Sequence, residues 1–501
     1  MPPFSTPSRA GPREWTGLAV LTLPCLVYAM DLTVLNLAVP ALTRELKPSA
    51  AQMLWMMDIY GFLVAGALVT MGTLGDRIGR RRLLMLGATA FAAASLLAAF
   101  AGGATQLIIA RAVLGLAGAT LAPSTLSLIR NMFHDEIQRR TAIAVWMASF
   151  SAGTALGPVL GGLLLEHFWW GSVFLINVPA MALLLVLAPL LLPEFRDPTP
   201  GGLDITSAAL SLAAVLAVIF GVKEAAAQGL NPAASAAVLA GIGIGAAFVR
   251  RQRHLAHPFV DLSLFKNRPF RAALLMNLSG AFFIGGLYLF IAQYLQLVLG
   301  LSPLHAALWS LPSALAFILG SGVVPAMAHR WQPRQLMTVG MTVAAAGFAL
   351  LLFLDTAGPL LLLVASLAVF SLGFTPVASL TTDLVVSSAP PERAGSAAAL
   401  SETAFELGGA LGIALLGSLG TAIYRAHMQN LPPGLDPATA ETARATLGGA
   451  VAAAADSPAA GALTAMARQA FTSALVACAA VGVCSLLLLA FYVNRAFGKQ
   501  P

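Results

Sequence analysis

Apolar residues in this chain gather in long runs separated by short polar stretches. Runs near or above the roughly 20 residues that cross a bilayer as a helix fall at 15–40, 52–73, 82–101, 106–129, 141–163, 169–192, 205–222, 233–249, 270–299, 304–327, 335–354, 359–388, 396–423 and 470–493. The pattern predicts fourteen membrane-spanning helices. Residues 193–204 form a connector rich in Pro, Gly and charge, and 250–271 form a second, strongly basic one. Spans 7 and 8 lie between the connectors, with six spans on either side. The expected organisation is a tail at 1–14, a six-helix half at 15–195, and connectors with the inserted helices 7 and 8 at 196–265. A second six-helix half follows at 266–494, including an external loop at 425–468, with a tail at 495–501. Inside that loop, Asp436 followed by Pro437 reads as a capped helix start. The Ala/Gly-rich stretch after it is expected to form a second helix, serving either as a lid or as an inert surface loop.

Composition agrees with a membrane protein. Hydrophobic residues make up 58% and charged residues 10%, against about 25% charged in an ordinary soluble domain. The net charge of +7 would raise nucleic-acid binding in a soluble protein, but its distribution gives a better explanation. With the N-terminus inside, cytoplasmic segments hold 21 of the 28 Lys+Arg, counting Arg82 and Arg271 at the inner ends of spans 3 and 9, external ones hold 6, and Arg111 lies within span 4. This is the positive-inside asymmetry, so both termini are expected to be cytoplasmic and no nucleic-acid partner is implied. The first fourteen residues lack a small-residue cleavage site, so span 1 itself is expected to direct insertion. Cys25, Cys478 and Cys484 all fall in apolar stretches, which indicates no disulfide framework.

Charged residues inside the spans carry the candidate chemistry. Asp31 sits in the middle of span 1, where a carboxylate is expensive and commonly faces a cavity or a partner on an ion or substrate path. Alternatively it pairs merely to hold two helices together. Arg111 cannot readily lose its proton and needs an acid, a carbonyl or water; it is either a coupling residue or a helix clamp. Glu402 and Glu406 are four apart, hence on one helical face of span 13. Neighbouring buried acids disfavour double ionisation, which suits groups that load and release a proton. Glu402 lies close enough to the span end to be a solvated helix-start acid instead. Asp58, toward the outer end of span 2, is a vestibule acid or an interfacial one. Asp383 reads as a solvated acid near the inner end of span 12, and Asp355 as a loop acid. A bulky cation leaving water needs counter-charge and aromatic walls. Tyr28, Trp55, Met56, Tyr60, Tyr288, Tyr294 and Phe405 are candidate walls, with Gln293 and Gln296 as polar handles; each also fits ordinary helix packing.

Several strings resemble one family across nearly the whole chain. Span 1 carries Asp31-Leu32-Thr33-Val34-Leu35-Asn36-Leu37-Ala38-Val39-Pro40, and the loop after span 2 carries Gly72, Gly75, Asp76, Arg77, Gly79, Arg80 and Arg81 in order. Span 4 contributes Arg111, Gly115 and Gly118; span 5 contributes Gly153, Gly157, Pro158, Gly161 and Gly162. Four-residue glycine spacing leaves a bare stripe for close helix packing, and Pro158 bends the helix. The strings from Glu166 to Pro179 and from Ser401 to Gly408 belong to the same set. A weaker resemblance links 327–334 to the loop after span 2, as a degraded internal copy.

The resemblance is to the major facilitator superfamily, and within it to the fourteen-helix drug:proton antiporters. It implies an all-α integral membrane fold of two six-helix halves plus two inserted helices. It implies a monomer in a bacterial plasma membrane that exports lipophilic cationic drugs, dyes and quaternary ammonium biocides in exchange for protons. The proton gradient supplies the energy, and no cofactor is implied. Carried over by motif, Asp31, Arg111, Glu402 and Glu406 would couple protons. Asp31, Glu406, Tyr28, Trp55, Tyr60, Asp58, Tyr294 and Phe405 would contact substrate. Gly72, Asp76, Arg77, Gly79, Arg80, Gly153, Gly157, Pro158, Gly161 and Gly162 would serve the conformational switch. Where some relatives place two adjacent glutamates in span 13, this chain has Ser401-Glu402, so the substrate range does not transfer directly. A proton-coupled transporter of an anionic or neutral metabolite or antibiotic would share the fold, and a non-transporting membrane sensor or an intramembrane enzyme is a more distant alternative. The sequence contains no metal-ligand spacing, nucleotide loop or nucleophile constellation, so an enzyme is not expected.

Overall fold

A proline at its first position opens α1 (Pro12–Leu46), which ends where Lys47 adopts φ 43°. Three residues later a capping box starts α2 (Ala50–Ile78). Ser49 Oγ accepts from the Gln52 amide at 3.2 Å, and the Gln52 side chain accepts from the Ser49 amide at 3.0 Å. The chain continues through α3 (Arg80–Ala99), α4 (Ala104–Met132) and α5 (Glu136–His167). The sixth span is broken at Ile176 into α6 (Ser172–Leu175) and α7 (Asn177–Leu191). Then come α8 (Ile205–Gln228), α9 (Pro232–His254), α10 (Arg268–Gln293), which runs on into a π turn at Tyr294–Val298, and α11 (Pro303–Ala328). The remainder is α12 (Pro333–Leu351), α13 (Leu360–Ser387), α14 (Ala394–His427), α15 (Pro437–Ala445), α16 (Leu447–Ala454) and α17 (Ala460–Ala496). This computed structural model describes residues 9–196, 204–255, 258, 260, 262–328, 330–387, 394–432, 435–454 and 460–496.

Fourteen helical segments among the described residues are long and apolar enough to cross a membrane, as the apolar runs predict. The helices overrun the runs at their polar ends. The last spans Ala460–Ala496 where the apolar pattern marks 470–493. Backbone hydrogen bonding continues past the last apolar residue, so hydropathy alone misplaces helix ends.

Each half has its own apolar core. Leu21, Tyr60, Phe91 and Phe174 are buried in the first, and Phe283, Tyr294, Phe348 and Phe374 in the second. The inserted α8 packs against α9, and also against both α2 of one half and α14 of the other. There Ile219 of α8 shares a cluster with Ile59, Phe62, Leu63, Ala410 and Ala414, so α8 lies across a seam between the halves.

The halves also touch directly. Gln296 Nε2 donates to the Leu37 carbonyl at 3.1 Å, and a Cβ on Gly162 of α5 would lie 2.9 Å from Leu304 Cα of α11. These contacts lie near the ends of α1 and α5 remote from the face that carries the start of α1 and the end of α17. The segment after α14 folds onto this same end. Asp436 accepts from the amides of Ala438 at 3.0 Å and Thr439 at 3.1 Å to start α15, as its Asp-Pro start predicts. The expected second helix is α16, whose Leu447, Ala450 and Ala454 join the second core while Gly448 packs on Thr43 of α1. His329 of the possible repeat and the side chain of Asp383 lie outside the described residues.

Candidate functional site

Asp31 and Arg111 meet inside the first half. An Arg111 Nη1 donates to Asp31 Oδ2 at 2.6 Å, with side chains 2% and 0% exposed respectively. The other carboxylate oxygen accepts from Asn177 Nδ2 at 3.3 Å, and that amide also donates to Ser95 Oγ at 3.1 Å. Arg111 spends its remaining donors on backbone: Nε donates to the Met56 carbonyl at 3.1 Å and Nη2 to that of Met57 at 3.4 Å. Its guanidinium also lies 4.8 Å from the centroid of the Tyr60 ring. The arginine is therefore held by α2 as well as by the acid.

The glycine stripe explains how α1 reaches this position. A Cβ at Gly153 would stand 2.3 Å from the Leu26 carbonyl, at Gly157 2.3 Å from Thr33 Oγ1, and at Gly161 2.2 Å from Val34 Cγ2. Only hydrogen fits along that face, so α5 presses against the turns of α1 that flank Asp31. Pro158 lies within this contact on α5.

A second connection joins the halves beside the first. The Tyr28 hydroxyl donates a hydrogen bond to Glu406 Oε1, and the Tyr28 and Tyr60 ring centroids are 6.0 Å apart. Tyr60 is fully buried, and its hydroxyl has no hydrogen-bond partner among the described residues. Glu406 is buried, whereas Glu402, one turn earlier on α14, is exposed. Asn277 of α10 fixes this part of α14 by donating to the Ser401 carbonyl at 2.8 Å and its hydroxyl at 3.0 Å. Phe405 is 37% exposed. Asp31, Arg111, Tyr28, Tyr60 and Glu406 thus form one chain of contacts. Tyr294 stands apart, packed in the second core with its hydroxyl donating to the Asp355 carbonyl at 2.5 Å.

Asp58 and Trp55 face α8. Lys223 Nζ lies 2.8 Å from Asp58 Oδ1 and 2.7 Å from Oδ2, and 3.6 Å from the Trp55 ring centroid. Sequence reasoning counts Lys223 among the external cations because it follows the apolar run of span 7; its side chain is 1% exposed. An unpaired acid near the end of span 2 was the available signal, but nothing in one dimension names its partner.

The α2–α3 corner is a separate cluster on the face that carries the start of α1. Asp76 Oδ1 and Arg80 Nη2 pair at 2.5 Å, and Gly79 turns the chain at φ 111°, the region that favours glycine. A Cβ on Gly79 would stand 2.6 Å from Glu194. Glu194 accepts from the Arg81 amide at 3.0 Å and the Arg82 amide at 3.2 Å, capping the start of α3. This acid is a member of the corner that the motif alone does not reveal. Gly72 approaches α4, where a Cβ would sit 3.9 Å from Pro123. Among the described residues, no group of three or more His, Cys, Asp or Glu could hold a metal ion.

Comparison with known proteins agrees with this architecture. The family model of the Major Facilitator Superfamily matches residues 22–413. The chain is 47% identical over 449 residues to the multidrug efflux pump LfrA of Mycolicibacterium smegmatis, covering 89% of each. It is 36% identical over 442 residues to the methyl viologen resistance protein SmvA of Salmonella typhimurium, covering 88% of this chain and 89% of that one. A solved bacterial homologue of the human lysosomal transporter Spinster, inward-facing and unoccupied, superposes with a TM-score of 0.69 at 18% identity over 98% of both chains, a likeness of fold.

Proposed function

From the premise that the chain belongs to the Major Facilitator Superfamily, we propose that it is a bacterial drug exporter that moves lipophilic cations out of the cytoplasm in exchange for protons. The relatives support drug efflux: one is a multidrug efflux pump and another confers resistance to methyl viologen, a flat organic dication. The observation that carries proton coupling is the buried Asp31–Arg111 pair. A proton reaching Asp31 cancels the charge that Arg111 grips, while Arg111 keeps its two carbonyls and the Tyr60 ring. The arginine then has a position in both protonation states, so the acid changes partner without leaving a loose cation in the membrane.

Glu406 supplies the matching element on the other half. Its hydrogen bond to Tyr28 ties α14 to α1, and a cation drawn to the carboxylate would meet the Tyr28 and Phe405 rings as walls. Occupation of Glu406 acts on a contact between the halves, and protonation of Asp31 acts on the Arg111–Tyr60 contact beside it; coupling of the two is what alternating access about a central site requires. Glu402, exposed one turn away, offers a second counter-charge. The corner of Asp76, Arg80 and Glu194 is the proposed switch between conformations. The basic residues concentrated on the face with the start of α1 and the α2–α3 corner support placing that face in the cytoplasm. The protein acts as a monomer in this reading.

Ethidium efflux from loaded bacterial cells tests the reading. Energised cells should clear the dye, and an uncoupler should stop them. Export that continues unchanged with the proton gradient collapsed would exclude proton coupling.

A further inference from the structure

The ion pair between Asp58 and Lys223 is unusual for its setting. A lysine ammonium taken out of water needs a counter-charge, and here it has both carboxylate oxygens and the face of an indole. A mechanical contact between α8 and α2 does not require this, because well-packed apolar residues of similar volume serve as well or better than a buried ion pair. The neighbouring contacts of α8 are in fact apolar: Ile219 packs with Ile59, Phe62 and Leu63. Carboxylate plus aromatic face is also the recognition set for an organic cation. The chain's own ammonium occupies it.

The position fits such a role. Asp58 follows Met57, whose carbonyl together with that of Met56 holds Arg111, so the pair adjoins the main centre along α2. Trp55 is half-buried, leaving part of its ring open. The helix carrying Lys223 lies across the seam of α2 and α14 rather than inside either half, and few of its residues are fully buried. Movement of α8 withdraws the ammonium by parting only the small apolar cluster around Ile219, and leaves the larger cores of the two halves packed.

We infer that Asp58 and Trp55 form a second organic-cation subsite, and that Lys223 is its tethered resting occupant, which a substrate cation displaces. The inference rests on the cation-export reading above and adds a competitor to it. Lys223 would set the threshold a substrate must exceed to be taken at this subsite, and the inserted helices would act in selection rather than as filler.

The test uses the purified full-length chain and ethidium as probe. Lys223→Met should bind ethidium about tenfold tighter than the unaltered protein, equivalent to about 1.4 kcal/mol. Adding Asp58→Asn to the same chain should remove the gain. Binding by Lys223→Met that is unchanged or weaker, in a preparation with normal thermal unfolding, would overturn the inference, as would a gain that survives Asp58→Asn. Reductive methylation of the unaltered protein, read by mass spectrometry, covers the case in which Lys223→Met does not fold. Saturating ethidium should raise labelling of Lys223 several-fold, with Lys47, Lys266 and Lys499 as internal references. Labelling of Lys223 that does not rise refutes displacement. Unaltered protein that binds no ethidium at all would instead sink the cation-export reading and this inference together.

Discussion

Arg111 grips Asp31 at 2.6 Å across 80 positions of sequence, and the same guanidinium is anchored on the carbonyls of Met56 and Met57. One side chain therefore ties α1, α4 and α2 together around an acid in the interior of the helix bundle.

Asp31→Asn keeps the shape but removes the charge. Efflux of ethidium from energised vesicles, normalised to protein level, should fall to background while insertion stays normal. Arg111→Lys should also lose most activity, because a single ammonium cannot bridge the carboxylate and two carbonyls in a planar fork. Full efflux by the asparagine variant would take Asp31 out of the mechanism.

The α2–α3 corner should govern rate rather than affinity. Asp76→Asn breaks the pair with Arg80, and Glu194→Gln weakens the cap on α3. Either change should slow turnover more than it weakens equilibrium dye binding, measured on one preparation. Equal losses in both quantities would point to misfolding or to direct contact with substrate.

Crowding at Gly157 gives a stability prediction. Alanine ordinarily stabilises a helix interior relative to glycine by up to about 1 kcal/mol. Here the added carbon would sit 2.3 Å from Thr33 Oγ1 and 3.1 Å from the Met30 carbonyl. Overpacking of this kind costs about 1–3 kcal/mol, so Gly157→Ala should lower the unfolding temperature of the detergent-solubilised protein. At Gly243, where a Cβ meets nothing within 4 Å, the same change should not lower it.

Glu406 and Glu402 should divide by substrate charge. Glu406 is buried and bonded to Tyr28, whereas Glu402 is exposed. A dication leaving for one proton carries net positive charge outward, against about 2.3 kcal/mol per 100 mV; a second acid offsets this by offering another counter-charge and proton site. Glu406→Gln should impair most substrates, and Glu402→Gln should impair dications more than monocations. Minimum inhibitory concentrations for a mono- and a bis-quaternary biocide, at equal expression, decide it; equal loss for both in the Glu402 variant would defeat the division.

Much of the architecture is legible in one dimension because membrane crossing is a local property. Fourteen apolar runs and the Asp436-Pro437 helix start depend on residues close together in sequence, and both appear in the structure. Asp31, Arg111 and Glu406 are equally visible as charges out of place. Their partners are not. Tyr28 meets Glu406 across 378 positions, Lys223 meets Asp58 across 165, and Arg81 meets Glu194 across 113. Such pairings are set by helix packing. Lys223 was hidden further because it follows the apolar run, so hydropathy assigns it to water while the longer helix carries it into the protein.

The hydrogen-only face of α5 has an evolutionary consequence. Positions 153, 157 and 161 admit a larger side chain only if the backbone or side chains of α1 around Asp31 give way, so a substitution there disturbs the packing beside that acid. The exposed Phe405 and Glu402 and the half-buried Trp55 face no such crowding limit. On the proposed reading, side chains at these last three positions can change while the packing that holds Asp31 stays as it is.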